Sequence, residues 1–372
     1  MPPFLSGDIM KPIGLYLHIP FCNGKCPYCD FYSVNPESKK VKAYVDAICR
    51  EIDKADRIYN TVYFGGGTPS LIGSDNIAKI MSHVKRTPNC EVTLECNPSD
   101  TGAISSTFDF SVVAKSGINR MSMGLQSADD AERKILGRRG SCKDVERAIS
   151  RAKNAGINNI SLDLILGIPY QTKESLEKSI EFCKNSGAKH VSAYILKIEE
   201  GTPFYRIKDT LPVPDEDETS DLYLSAVELL GKRGYHQYEI SNFSEKGYES
   251  RHNLKYWLCE EYLGIGASAH SFVNGKRFYY ERSIDDFIGG NSPVDDGFGG
   301  DEEEYIMLVL RLSEGLIFKS FENRFGKSVS EKTIKKAREL EKHGLLKVDD
   351  NSISLTVQGF LVSNSVICSL IE

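Results

Sequence analysis

The sequence predicts an α/β protein, a partial (β/α)6 barrel of parallel strands followed by a small α+β module of winged-helix type. Three observations carry that expectation. From residue 14 to about 195, short β-rich runs alternate with amphipathic stretches at roughly 30-residue spacing, the rhythm of βαβ units. Several strands follow their helix through a glycine, as in KSGINRMSM, NAGINNISLDLI and NSGAKHVSAYIL, which reads as helix, left-handed stop, buried strand. Beyond residue 301 the order changes to helices followed by a hairpin.

The expected strands are Gly14–Ile19, Thr61–Phe64, Glu91–Glu95, Asn119–Gly124, Asn158–Leu164 and Lys189–Leu196. Helical patterns fall between them at Ser38–Ala55, Ser74–Lys85, Ser105–Lys115, Lys143–Asn154 and Lys173–Asn185. PVPDEDETSDLYLSAVELLGKRG opens a further helix with acids, which suit the positive end of a helix dipole. Residues 1–200 then form the barrel core and 201–288 an extension holding an aromatic stretch. GGNSPVDDGFGGDEEE, rich in glycine and acids, reads as the boundary before the module at 301–372. In that module helices are expected near Glu302–Leu312 and Ser330–His343, with a hairpin around Asp349–Asn351.

A chain of 372 residues fits about two domains at roughly 150 residues each. With 40% hydrophobic and 26% charged residues it is neither disordered nor a disulfide-stapled miniprotein. No apolar run approaches the roughly 18 residues of a spanning helix, so no membrane insertion is expected. MPPFLSGDIMKPIG has no basic head before an apolar stretch, so the expected address is the cytoplasm. The net charge of −6, and the mixed acids and bases of the C-terminal module, argue against nucleic acid as a partner.

Ten cysteines in such a chain are not a disulfide framework. Cys49, Cys90, Cys96, Cys142, Cys183, Cys259 and Cys368 are scattered singly and read as small core hydrophobes. Cys22, Cys26 and Cys29 are different, because CNGKCPYC packs three thiols onto a loop directly after the strand LYLHIPF. Structural zinc wants four ligands, usually from two separated CxxC pairs, and no second pair exists. Three thiolates holding a [4Fe–4S] cluster leave one iron open to a further ligand.

The strand ends that follow add polar groups to the same expected mouth. GGGTPS at Gly65–Ser70 offers backbone that can approach a ligand closely and amides that can receive an anion. Glu95 in TLECNP, Gln126 in MGLQS and Asp163 in LDLILGIP each close an apolar strand. Such groups are either satisfied core residues or, presented together at the carboxyl ends of barrel strands, a site.

This constellation resembles the radical S-adenosylmethionine (SAM) superfamily. Within it, YLHIPFCNGKCPYCDF, GGGTPS, SMGLQS and DLILGIPYQT look like the branch that holds oxygen-independent coproporphyrinogen III oxidases and related heme chaperones. The resemblance implies a cluster on Cys22, Cys26 and Cys29 whose open iron takes the amino and carboxylate groups of SAM. It places Tyr16 and Tyr28 beside cluster or cofactor, Gly66, Gly67 and Thr68 at the methionine end, and Glu95 on the ammonium. Gln126, Arg138 and Asp163 match further SAM contacts, with Arg138 beside Arg139 in ILGRRG leaving that register open.

Three features bear on which side of the branch the chain falls. The oxidase pattern has a fourth cysteine two residues past the third, and here that position is Phe31. The oxidases also carry a longer leading segment, whereas 21 residues precede Cys22 here. RHNLKYW, with His252, Asn253, Tyr256 and Trp257, matches an HNxxYW pattern associated with the chaperones. Its imidazole could ligate heme iron and its rings pack a porphyrin, or the segment could be an aromatic corner between domains. His270 in GASAHS is the alternative iron ligand. The expectation is therefore a carrier that binds heme and delivers it to heme-requiring respiratory apoproteins, with homodimerisation suggested by the family. The alternative is an oxidase that oxidises two propionate side chains of coproporphyrinogen III.

Overall fold

A computed structural model describes residues 11–98 and 108–371. The opening of the chain and the start of the helix expected from Ser105 lie outside the described residues. Six strands lie parallel and side by side in chain order: β1 (Ile13–Ile19), β2 (Ile58–Gly66), β3 (Lys85–Cys96), β4 (Arg120–Gln126), β5 (Asn159–Leu166) and β6 (His190–Ile195). Between them run α1 (Ser38–Ala55), α2 (Ser74–His83), α3 (Phe110–Ser116), α4 (Asp130–Ile135), α5 (Cys142–Asn154) and α6 (Lys173–Asn185). The short α4 was not expected; it is nucleated by Asp129, whose carboxylate accepts from the amides of Ala131 and Glu132.

The chain continues through α7 (Pro203–Arg206), α8 (Glu216–Lys232), β7 (His236–Gln237), β8 (Asn242–Ser244) and α9 (Arg251–Trp257). As its acidic start suggests, α8 opens with a capping box between Asp215 and Glu218. Then come β9 (Tyr262–Ile265), β10 (His270–Val273), β11 (Lys276–Tyr279), α10 (Ile284–Gly289) and β12 (Val294–Phe298). All twelve strands form one sheet, ordered β12-β11-β10-β9-β1-β2-β3-β4-β5-β6-β8-β7. The parallel core is β9 with β1 to β6, and the pairings outside it are antiparallel. The glycine- and acid-rich stretch before residue 301 is thus the edge strand β12, paired to β11.

The remaining residues form α11 (Glu302–Val309), β13 (Leu316–Ile317), α12 (Phe318–Phe325), α13 (Glu331–Glu341), β14 (Leu346–Val348), β15 (Ser352–Leu355), α14 (Val357–Leu361) and α15 (Ser363–Ile371). The three strands pair antiparallel in the order β13-β15-β14. This module touches both arms of the large sheet. Arg277 of β11 pairs with Glu304 of α11, while Glu239 bridges Leu312 and the Ser313 amide donates to the Tyr238 carbonyl at 3.0 Å.

The faces of the parallel strands differ sharply. Leu15, Leu17, Ile19, Val62, Phe64, Leu94, Met121, Met123, Leu162 and Val191 are buried in the core on one parity. The other parity carries Tyr16, His18, Thr61, Tyr63, Thr93, Glu95, Arg120, Ser122, Ser161, Asp163 and His190. Successive strand residues point to opposite faces, so the sheet has an apolar helix-covered side and a polar inner side. The sheet curls enough for Tyr63 on β2 to sense Asp163 on β5 and Tyr194 on β6.

Candidate functional site

The loop after β1 carries Cys22, Cys26 and Cys29, all half-buried and free of disulfides. Pro20 accepts from the Val34 amide at 2.8 Å and Val34 returns its carbonyl to the Cys22 amide at 2.9 Å, which ties the loop's two ends together. The Thr68 hydroxyl lies 3.9 Å from the Cys22 sulfur, whose own thiol faces the Gly24 carbonyl at 3.3 Å. A guanidinium nitrogen of Arg138 lies 3.9 Å from the Cys26 sulfur. Burial pushes the Cys29 thiol up, and Cys26 and Cys22 add to that push. Among the described residues no three Cys, His, Asp or Glu side chains converge as a closed metal cage, these thiols included. The donor set itself, three soft thiols on one loop beside two arginines, suits an iron–sulfur cluster better than zinc.

The register left open between Arg138 and Arg139 resolves into two contacts. Arg138 donates to the Gly124 carbonyl at 2.8 Å and to Asn97 at 3.4 Å while reaching Cys26. Arg139 places its guanidinium over Gly24, so both arginines address the cysteine loop. Tyr28 packs on Phe204 at 6.3 Å between ring centres, and burial raises its phenol.

The three glycines of GGGTP are required by the protein's own packing. A Cβ on Gly65 would lie 3.0 Å from the Tyr16 ring and 3.3 Å from Glu95 Oε1. On Gly66, at φ +115°, it would press the His18 ring at 2.8 Å. On Gly67 it would meet the Phe21 carbonyl oxygen at 2.5 Å. The Gly67 and Thr68 amides are already donated to Ile19 and Phe21, so this turn is stitched to the cysteine loop.

Glu95 sits beneath that turn, half-buried, and accepts from the Tyr63 hydroxyl at 2.8 Å. Burial lifts its carboxyl from 4.5 to about 7, against the pull of the Tyr63 bond. Asp163 is likewise raised by burial while accepting from Ser122 at 3.2 Å. Gln126 ends β4 at φ +68°, a left-handed backbone that costs an L residue about 1 kcal/mol or more. Glu95, Gln126 and Asp163 thus lie on β3, β4 and β5, beside the glycine turn that ends β2.

His252 lies elsewhere. It is 0% exposed at the opposite, amino-terminal end of the barrel, where α9 forms the floor. Its Nδ1 bonds Thr61 at 2.8 Å and its Nε2 bonds Tyr256 at 2.9 Å, so both ring nitrogens are used. Burial drives its pKa down to about 3, leaving a neutral ring. The Glu91 carboxylate caps α9, accepting from the Arg251 and His252 amides at 3.2 and 3.1 Å. Trp257 faces the C-terminal module, with the Arg311 guanidinium 6.0 Å from its ring. His270, by contrast, is exposed at the start of β10 and stacks on Tyr279 at 5.2 Å. Because β9 runs parallel to β1, the turn before His270 lies at the cysteine-loop edge.

Sequence reasoning did not single out His18, Tyr63, Arg120 or Ser122, and named Arg139 only as the neighbour of Arg138. Period-two parity with Glu95 and Asp163 marks the first four, since each occupies the polar face of its strand.

Loop, glycine turn and strand ends together make this a radical SAM protein: the Radical SAM superfamily model matches residues 16–183, and the HemN C-terminal domain model matches 302–362. Coproporphyrinogen III oxidase (HemN) from Escherichia coli has the same fold, with a TM-score of 0.81 at 20% identity over 96% of this chain and 90% of its own. The heme chaperone HemW of Lactococcus lactis subsp. lactis is 33% identical over 96% of this chain and 97% of its own. That of Bacillus subtilis is 33% identical over 94% and 97%. A mouse mitochondrial radical S-adenosyl methionine domain-containing protein 1 is 36% identical over 69% of this chain and 60% of its own. The chain belongs to the HemW family. Its superfamily is one of [4Fe–4S] clusters and SAM. Among the described residues no helix is long and apolar enough to cross a membrane.

Proposed function

We propose that this protein is a heme carrier that binds heme, a [4Fe–4S] cluster and SAM, and hands heme to heme-requiring respiratory proteins. End-to-end likeness to heme chaperones carries the reading. Cys22, Cys26 and Cys29 hold the cluster, with Arg138 and Arg139 offsetting the charge of the thiolates. Gly66, Gly67 and Thr68 would hold the methionine end of SAM, with Glu95 accepting from its amino group and Tyr16, Tyr28, Gln126, Arg138 and Asp163 around it. A reduced cluster, when bound, supplies an electron to SAM. The chain's own residues orient the ligand and hold its charges.

Phe31 stands where the oxidase pattern has a cysteine, and it is 63% exposed beside the mouth. With Tyr194 and Ile195, also exposed at the end of β6, it offers an apolar rim suited to a flat macrocycle. His270 is the favoured iron ligand, because His252 has no free ring nitrogen and no path to solvent. The test is heme titration of the reconstituted protein, read by its absorption band, alongside anaerobic incubation with coproporphyrinogen III, SAM and a reductant. The expected result is about one heme per chain, no protoporphyrinogen, and a shifted band in His270→Ala. Turnover of coproporphyrinogen would instead make the protein an oxidase.

A further inference from the structure

Glu95, lifted toward neutrality by burial, is held by a column of rings rising from the floor. The His252 ring stacks on Tyr63 with centres 5.3 Å apart and planes 29° apart. Tyr63 in turn donates its hydroxyl to Glu95 Oε1 at 2.8 Å. Tyr16 flanks the column, 6.3 Å from Tyr63 and 6.5 Å from His252. Below, Thr61 and Tyr256 pin both nitrogens of His252, so its ring cannot rotate without breaking a buried hydrogen bond.

We propose that Tyr63 is a positioning residue for Glu95, and that His252 acts behind it as the support of the Tyr63 ring. This rests on the reading of Glu95 as the acceptor for the SAM amino group. Under it, the HNLKYW helix serves the SAM site from below and contributes no heme ligand.

The groups facing Glu95 are Tyr16 from β1, Tyr63 and the Gly66 amide from β2, Arg120 from β4, Asp163 from β5 and Tyr256 from α9. Burial and Asp163 favour the protonated acid, while Tyr63, the Gly66 amide and Arg120 favour the carboxylate. Tyr16, Tyr63 and Tyr256 are pushed above their ordinary range by burial and stay protonated. The imidazoles of His18 and His252 are held down at about 4 and about 3, so both rings are neutral near pH 7. An ionised Glu95 accepts far better than a protonated one from the N–H groups of an amino nitrogen. Removing the Tyr63 hydroxyl withdraws a donor from the carboxylate, so the midpoint of Glu95 must rise and the carboxylate fraction at neutral pH must fall.

Tyr63→Phe keeps the ring and its stack and removes only the hydroxyl. SAM affinity of the cluster-reconstituted protein is measured by anaerobic calorimetry from pH 6 to pH 9, and the Glu95 carboxylate is titrated separately by infrared difference against Glu95→Gln without SAM. Tyr63→Phe is expected to weaken SAM about three- to tenfold at neutral pH. The gap should narrow at pH 9, and the infrared midpoint should move up. His252→Phe, which keeps a ring under Tyr63, should bind SAM better than His252→Ala, and His252→Ala should add little to Tyr63→Phe. A pH-independent loss with an unmoved carboxylate midpoint would overturn the role of Tyr63, and additive losses would overturn that of His252. Undiminished SAM binding by Glu95→Gln would instead refute Glu95 as the acceptor for the amino group, while the infrared titration still judges Tyr63.

Discussion

The mouth and the floor of this barrel use the same residue types to opposite ends. At the mouth, thiols, a carboxyl and a guanidinium remain half-exposed, the cysteines form no disulfide, and Glu95 is lifted toward neutrality. At the floor, a histidine is shut in, and both nitrogens of its imidazole have a partner within 2.9 Å. An aromatic and imidazole cluster in a sequence is therefore ambiguous between ligand site and buried plug. What separates them is spare hydrogen-bonding capacity: ligands need it, and plugs have spent it.

Seven substitutions sharpen that contrast. The largest effect belongs to the mouth: serine at Cys22, Cys26 or Cys29 should drop iron after anaerobic reconstitution from about four per chain to near zero. His252→Ala at the floor should leave iron loading in place but cost about 2–4 kcal/mol in chemical denaturation, because the Thr61 and Tyr256 hydroxyls lose their buried partner. A heme band unchanged in that variant would confirm the floor as structural; its loss in a folded protein would break the distinction.

Glu95→Gln should weaken SAM by about 1.5–3 kcal/mol, roughly ten- to a hundredfold in calorimetry. The same change should alter how ligand-free stability depends on pH. Glu95 ionises at about 7 when folded against 4.5 when free, so the native state holds a proton that the unfolded chain has released. Its contribution is fully present below about 4.5 and is lost as pH rises through about 7. Glu239, raised to about 7 by burial in the turn before β8, has the same sign. Denaturation between pH 5 and 8 should show a shallower decline in either Glu95→Gln or Glu239→Gln, while SAM affinity falls only in the former. Smallest of all, Arg311→Ala should cost about 0.5–1 kcal/mol by uncovering Trp257. Trp257 is the chain's one tryptophan, so its fluorescence reports that loss directly.

Much of this was legible in the chain itself. The ends of α1 and α6 agree with the expected Ser38–Ala55 and Lys173–Asn185, because strong amphipathic periodicity and clear stops bracket both. The cysteine loop and the strand-end residues Glu95 and Asp163 were visible from spacing. The position of His252 was not. Nothing local in RHNLKYW says that it enters the barrel from below, since its partners Thr61 and Glu91 lie more than 150 residues earlier. Edge strand β12 was hidden for a different reason: VDDGF is polar and glycine-containing, and pairing with β11 overrides its poor strand propensity. The glycine turn was recognised, yet its demand comes from the Tyr16 and His18 rings and the Phe21 backbone, which only tertiary structure brings close.

The C-terminal module's grip on both arms of the sheet has a consequence for cooperativity. An open sheet leaves a row of unpaired peptide groups at each end, and such rows invite pairing with other chains. Here a single module is anchored to β11 through Glu304 and to the β7–β8 turn through Leu312 and Ser313, so neither arm can swing away without dislodging the same domain. A displacement of either arm therefore breaks contacts with one and the same domain, which links the two ends of the sheet through residues far from the cysteine loop.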